Sequence, residues 1–423
     1  MARMKAKNAR GGIIGEIFGT QPGIFLICLL AWTLTNMDQA LFGFAVPGMI
    51  AEFGLSLQTI GLILTISFAA AAVLVIPAGF AADRFGRGAT LCGLLLISAI
   101  LVGLQSLADG VVMLTVFRAL GFGISAGVSP VTNALVVEHA GARYRGVAMG
   151  VLQCGYPLGW LLASLGAAPL LATYGWRASC LIAFLVVPLV VPLWWLLRRY
   201  RVDHAPHPVV AADAATPQAQ PGGIAMLLLP EYRRISLVTA AVFFLFGGAY
   251  AGSAFFFPTF FIETRGYSPA AAASLIGLSN GIAVIGYLAA ALVGEFVLTR
   301  RTVFVLWCLG GAIALAGLLW LSHGRIQDIV WYGLTAALFF GSQAVVIVFV
   351  AELFPAHIRA RALALCASAP LSLGFALFPL VVPAMVAALG WQAGLTVVII
   401  PLLAGAGLIA LLLPNRPSGL PAA

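Results

Sequence analysis

Apolar positions in this chain neither alternate nor form narrow helical stripes. They run on continuously, in stretches of roughly 20 residues or more, broken by short polar segments. Barrel strands would alternate over about 10 residues, so the pattern predicts membrane-crossing helices, which satisfy their own backbone hydrogen bonds in lipid. Twelve spans follow: 23–48, 59–81, 89–107, 111–136, 147–172, 178–197, 236–262, 271–297, 302–321, 327–351, 361–387 and 391–413. Ile13, Ile14, Ile17 and Phe18 sit at helical spacing and predict a short interfacial helix ahead of the first span. The basic start, Met1 to Arg10, precedes an apolar run too long for a cleaved signal, which reads as a retained first helix.

The polar breaks divide the chain further. Residues 198–235 hold Pro206, Pro208, Pro217 and Pro221 among many alanines and predict a flexible linker. The expected organisation is a six-helix bundle at 1–197, the linker at 198–235, and a second six-helix bundle at 236–423. The halves repeat. Glu138 and Arg145 match Glu352 and Arg359; Gly175-Trp176 matches Gly390-Trp391; Pro47, Glu52 and Gly54 match Pro258, Glu263 and Gly266. All lie at offsets of about 211 to 215, a duplication of the kind secondary transporters are built from. The fold class expected is therefore an all-α membrane protein, with twelve transmembrane helices in two pseudo-symmetric six-helix bundles.

Composition agrees. The chain is 62% hydrophobic and 8% charged, against about 25% charged in soluble domains, which excludes a water-soluble enzyme. A net charge of +9 raises the question of nucleic acid, and its distribution answers it. With the N-terminus inside, the outer side holds only Arg177, Arg265 and Arg325, one arginine (Arg118) falls within a span, and every other lysine and arginine faces the cytoplasm. Both termini are thus expected in the cytoplasm of a cell with a bacterial-type inner membrane, and no nucleic-acid partner is expected. The six cysteines lie within apolar runs and suggest neither disulfides nor a metal site. His204 and His207 read as a solvated linker pair. No metal or cofactor is expected.

Ionisable groups inside lipid mark function by default. Only Asp38, in the first span, and Arg118, in the fourth, lie deep. A carboxylate whose cationic neighbour moves would bind and release a proton as it does so. A guanidinium suits a planar carboxylate. Phe122, Ser125, Ser129 and Thr132 share a helical face with Arg118. Further polar candidates for substrate contact are Thr35, Gln39, Gln153, Tyr156, Trp160, Tyr250, Ser253, Asn280, Tyr287 and Gln343; each could instead bond helix to helix. Gly123-Ile124-Ser125-Ala126-Gly127 matches a hydrolase pattern, but lies inside a membrane span without a histidine partner.

The segment Gly79-Phe80-Ala81-Ala82-Asp83-Arg84-Phe85-Gly86-Arg87-Gly88, between the second and third spans, resembles the loop signature of the major facilitator superfamily, departing from it at Ala81 and Gly88. Arg118-x-x-Gly121-x-Gly123 and Glu352-Leu353-Phe354-Pro355-Ala356-His357-Ile358-Arg359 resemble further motifs of that family. The resemblance implies alternating access between the two bundles and a monomer. It makes Gly79, Asp83, Arg84, Gly86 and Arg87 a cytoplasmic gate, with Glu138, Arg145, Glu352 and Arg359 doing similar work as two local pairs. It is strongest toward the metabolite/proton and aromatic-acid/proton symporter branches, which implies proton-coupled import of a small organic anion, with Asp38 and Arg118 coupling the proton and Arg118 holding the anion. An exporter or drug/proton antiporter and a symporter of a neutral solute such as a sugar remain open. Gly150 to Gly159 echoes the antiporter motif only faintly.

Overall fold

The computed structural model describes residues 17–18, 21–141, 144–200, 202, 226–227 and 229–415, without the side chains of 356 and 357. Ile13, Ile14, His204, His207, Arg143, Arg416 and most of the expected linker lie outside them. Among the described residues, twelve helices are long and apolar enough to cross a membrane: α1 Pro22–Phe53, α2 Leu57–Phe85, α3 Arg87–Leu107, α4 Val111–His139, α5 Arg145–Thr173, α6 Gly175–Arg199, α7 Pro230–Ala251, α8 Pro269–Phe296, α9 Arg300–Trp320, α10 Arg325–Leu353, α11 Ile358–Leu389 and α12 Trp391–Ala410. They form two six-helix bundles. The end of the molecule that holds the α2–α3 and α8–α9 junctions is called here the basic end; the other is the far end.

Local chemistry sets the helix limits. Ser56, Ser268 and Thr299 cap α2, α8 and α9 through their hydroxyls, and Pro22, Pro230 and Pro269 occupy first turns, where a missing N–H costs nothing. Pro230, with Glu231 beside it in the first turn, starts α7 six residues before the expected 236, so residues 230–235 of the expected linker are helical. Gly54 and Gly266 end α1 and the α7 continuation Phe257–Arg265 in the left-handed conformation, at φ 62° and 69°, which a side chain would strain.

The sequence repeat recurs as bonding. Trp176 Nε1 donates to Glu52 Oε2 at 2.7 Å, joining α6 to the end of α1. Trp391 Nε1 donates to Glu263 Oε2 at 2.7 Å, joining α12 to the end of α7. Arg177 adds bonds of 2.6 and 3.1 Å to Glu52 Oε1; Gln392 stands at the equivalent place. Trp391→Phe keeps an aromatic side chain, though a smaller one, and removes a charge-assisted bond worth about 1.5–3 kcal/mol. The apparent melting temperature of the purified protein is expected to fall by several degrees, and an unchanged transition would show that the bond contributes nothing.

The two bundles meet through α1 with the α7 continuation Phe257–Arg265, α2 with α11, and α5 with α8. At the far end, Thr65 donates to the Ala376 carbonyl at 2.7 Å, Gln58 donates to that of Leu380 at 3.1 Å, and Gly61 lies so close to the Pro379 carbonyl that a Cβ has no room. The α2–α11 contact continues to Phe68, 4.8 Å from Phe375. Beyond it, the same face of α2 is exposed at Ala72, Ile76, Gly79 and Asp83. The helices therefore join at the far half and part toward the basic end.

Candidate functional site

Asp38 and Arg118 are both buried, at 2% and 1% exposure. Each lies in the other's electrostatic field, yet no nitrogen–oxygen contact within 4.0 Å joins them. Instead, the Arg118 guanidinium carbon stands 4.1 Å from the ring centre of Phe42, 4.8 Å from that of Phe122 and 5.5 Å from that of Phe255. Phe42 follows Asp38 by one turn on α1, and Phe122 follows Arg118 by one turn on α4. Among the described residues, Arg118 Nε and Nη2 and Asp38 Oδ1 have no hydrogen-bond partner. A cation held by three aromatic faces is stabilised through their quadrupoles. Its N–H donors nevertheless remain unspent, and a buried charge without hydrogen bonds is costly.

Aromatic rings extend from this point across both bundles. Phe255 lies 6.2 Å from Trp160, which lies 6.0 Å from Tyr156. Tyr156 meets Tyr250 at 5.7 Å, Tyr287 at 6.4 Å and Phe340 at 5.6 Å. Expected candidates Phe122, Tyr156, Trp160 and Tyr250 thus come together with Arg118. Gln153 is buried nearby on α5; Gln39 and Gln343 are half-buried. Thr35, Ser125 and Ser253 spend their hydroxyl protons on their own helices, donating to Ala31, Phe122 and Ala249 at 2.9, 2.8 and 2.7 Å.

Sequence reading passed over Phe42, Phe255 and Phe340. It also passed over the helix breaks that place them. α4 is interrupted at Ala126–Gly127, α5 at Gln153–Cys154, α7 after Ala251 before resuming at Phe257, and α10 over Phe339–Ser342. Ser125, Gln153, Ser253, Phe255, Phe340 and Gln343 sit at or beside these breaks. Irregular backbone at membrane depth is tolerated where it is enclosed by protein or lines a cavity, so the breaks mark the same centre as the buried charges.

The basic end corrects two expected pairings. Glu138 is joined not to Arg145 but to Arg87, at the start of α3. Glu352 is joined not to Arg359 but to Arg300, at the start of α9, and Arg300 also binds Glu295. Arg145 is exposed, and Arg359 donates to the Phe354 carbonyl at 3.3 Å. In each half the helix ends one residue after the glutamate, while the first turn of a neighbouring helix packs beside it. Asp83 and Arg84 are exposed and form no ion pair among the described residues; Arg84 stands 5.6 Å over Phe85. Gly86 turns the chain at φ 90°, whereas Gly79 has open space around it. Arg87→Ala strands a carboxylate whose side chain is only 15% exposed, so it is expected to lower thermal stability clearly, while Arg145→Ala stays within about 0.5 kcal/mol of wild type. Equal losses in thermal unfolding of the two variants would contradict this pairing.

The Major Facilitator Superfamily model matches residues 24–350. The chain belongs to this superfamily. It is a multi-pass membrane transporter of that family and not an enzyme. The major facilitator chain is 27% identical over 358 residues to the niacin transporter NiaP of Acinetobacter baylyi, covering 78% of this chain and 80% of that one. It is 28% identical over 362 residues to the gentisate transporter of Corynebacterium glutamicum, covering 84% and 79%. Its fold matches a bacterial homolog of the human lysosomal transporter Spinster in an inward-facing, unoccupied conformation, with a TM-score of 0.66 and 17% identity over 92% of this chain and 95% of that one.

Proposed function

We propose that this transporter imports a small aromatic or related organic carboxylate together with a proton, by alternating access of its two bundles. The observation that carries the proposal is Arg118: a buried guanidinium with unspent donors, no carboxylate in contact, and aromatic rings on its faces. A planar carboxylate matches the geometry of the fork, and the neighbouring rings of Phe255, Trp160 and Tyr156 supply aromatic surface suited to an aromatic cargo. Niacin and gentisate, named for the two relatives, are aromatic carboxylates, which supports the same class of cargo.

Asp38 is the proton carrier in this reading. Held near Arg118 but not bonded to it, its carboxylate takes up or releases a proton as cargo binding at Arg118 changes the charge it faces. A protonated Asp38 leaves Arg118 free for the anion, and one proton with one monoanion crosses without net charge. The basic end faces the cytoplasm of a bacterial-type inner membrane, and the parting of α2 and α11 there opens the site inward. Arg87–Glu138 and Arg300–Glu352 brace that end within each half, and the transporter works as a monomer.

Proteoliposomes with an internal pH dye test this reading. Addition of benzoate-type acids outside is expected to acidify the lumen, and neutral sugars are expected to leave it unchanged. Acidification by sugars alone would return Arg118 to a structural role, and alkalinisation of the lumen as cargo enters would mark proton antiport instead.

A further inference from the structure

The packed part of the α2–α11 seam ends in two rings, and one of them also reaches the rings on Arg118. Phe68, buried on α2, lies 4.8 Å from the half-buried Phe375 of α11. The same Phe68 ring lies 5.0 Å from Phe122, edge to face, and 6.0 Å from Phe255. Those are two of the three rings around the Arg118 guanidinium. Phe375 in turn lies 5.5 Å from Tyr250. Past Phe68, toward the basic end, the face of α2 is exposed, whereas Arg118 is buried. Both helices have a soft point on the basic side of the pair. Pro77, inside α2, has no N–H to give the Val73 carbonyl. In α11 a π-helical turn spans Leu363–Ser368, and Pro370 just after it has no N–H to give the Cys366 carbonyl. Bending at these points moves the basic halves of α2 and α11 while their far halves stay joined.

We infer that Phe68 and Phe375 form the inner gate of the Arg118 site, a ring from each bundle that together close the site off from the parted half of the seam until they separate. This rests on the reading of Arg118 as the cargo site. A ring pair suits the task. In contact, the two rings exclude water, and separating them strands no buried hydrogen-bonding group. The far half of the seam is different, because Thr65 and Gln58 give up hydrogen bonds when it opens. Phe68 also ties the gate to the cargo. It packs on Phe122 and Phe255, so cargo that settles against Arg118 and shifts either ring shifts Phe68 as well. Occupancy and opening are thereby linked through contacts between neighbouring rings.

The test uses the full-length protein with Phe68→Cys and Phe375→Cys together, reconstituted in proteoliposomes; the six native cysteines are buried. A short, cleavable bifunctional thiol reagent ties the pair. Exchange of labelled benzoate is expected to be lost once the tether forms and to return when it is cleaved, while the tethered protein still binds benzoate. Saturating benzoate is expected to slow the tethering, because it holds the pair apart. Phe244→Cys with Phe378→Cys replaces two rings 5.7 Å apart within the second bundle, and tying that pair is expected to leave exchange intact. Phe68→Leu, which keeps an apolar side chain without the ring, is expected to release bound benzoate faster than wild type, with thermal unfolding as the check on folding. Undiminished exchange by tethered protein overturns the gate and leaves the anion reading standing. So do a tethering rate that bound benzoate does not change, equal loss of exchange with the control pair, and release from Phe68→Leu at the wild-type rate. Wild-type protein that neither binds nor carries benzoate overturns the anion reading itself, and the gate with it.

Discussion

Arg118→Lys is expected to reduce carboxylate uptake by about 100-fold although it preserves the charge. The guanidinium lies over Phe42, Phe122 and Phe255, and its Nε and Nη2 donors are free. A bidentate pair with a carboxylate involves two charge-assisted bonds, each worth about 1.5–3 kcal/mol. Lysine offers a compact ammonium in place of a flat fork, so one of these bonds and the stacking are lost together. About 2.7 kcal/mol is two powers of ten. Lysine rather than alanine is the informative replacement, because removing the cation would leave Asp38 alone in the membrane interior. Initial uptake rates in proteoliposomes, with thermal unfolding as a control on folding, give the answer. Uptake at the wild-type rate in the lysine variant would mean that Arg118 only balances Asp38.

The second large effect belongs to Asp38→Asn. Asparagine matches the shape of the protonated acid and cannot change its charge. Exchange of labelled for unlabelled substrate across the membrane is expected to continue, because the neutral form is the one that frees Arg118. Accumulation driven by an imposed pH gradient is expected to vanish, with inside and outside concentrations reaching equality. Uphill accumulation that persists in this variant would remove Asp38 from the coupling mechanism.

Much of this was readable from the chain because lipid makes some placements expensive. Twelve unbroken apolar stretches left no other fold, and two lone charges among them marked the centre. The Glu52 and Glu263 positions, with Trp176 and Trp391, were visible as repeated letters, and the structure gives them one shared hydrogen bond. Partners in the third dimension were less legible. Glu138 stands seven residues from Arg145, yet it bonds Arg87 on another helix, because chain separation says little once helices pack side by side. The rings around Arg118 were hidden for a different reason. With 27 phenylalanines in the sequence, nothing local separates Phe42 and Phe255 from those that face lipid. Nor do helix breaks announce themselves in apolar runs, since Gly252, Ser253 and Ala254 are ordinary in membrane helices.

Proline placement in α11 shapes its contact with α2. Pro383 has no N–H to offer the carbonyl of Pro379, and that is the oxygen against which Gly61 lies. On either side, Thr65 and Gln58 address the main-chain oxygens of Ala376 and Leu380. On the α11 side, then, the main chain supplies the hydrogen-bond acceptors of the seal between the halves, and Pro383 and Phe375 add side-chain packing. Replacing Pro383 by a residue with an N–H would return a helical donor to the Pro379 oxygen. For the far end to open, water has to reach those oxygens as the α2 donors withdraw. Opening therefore exchanges these bonds for bonds to water, first at the exposed Gln58 and then at the part-buried Thr65.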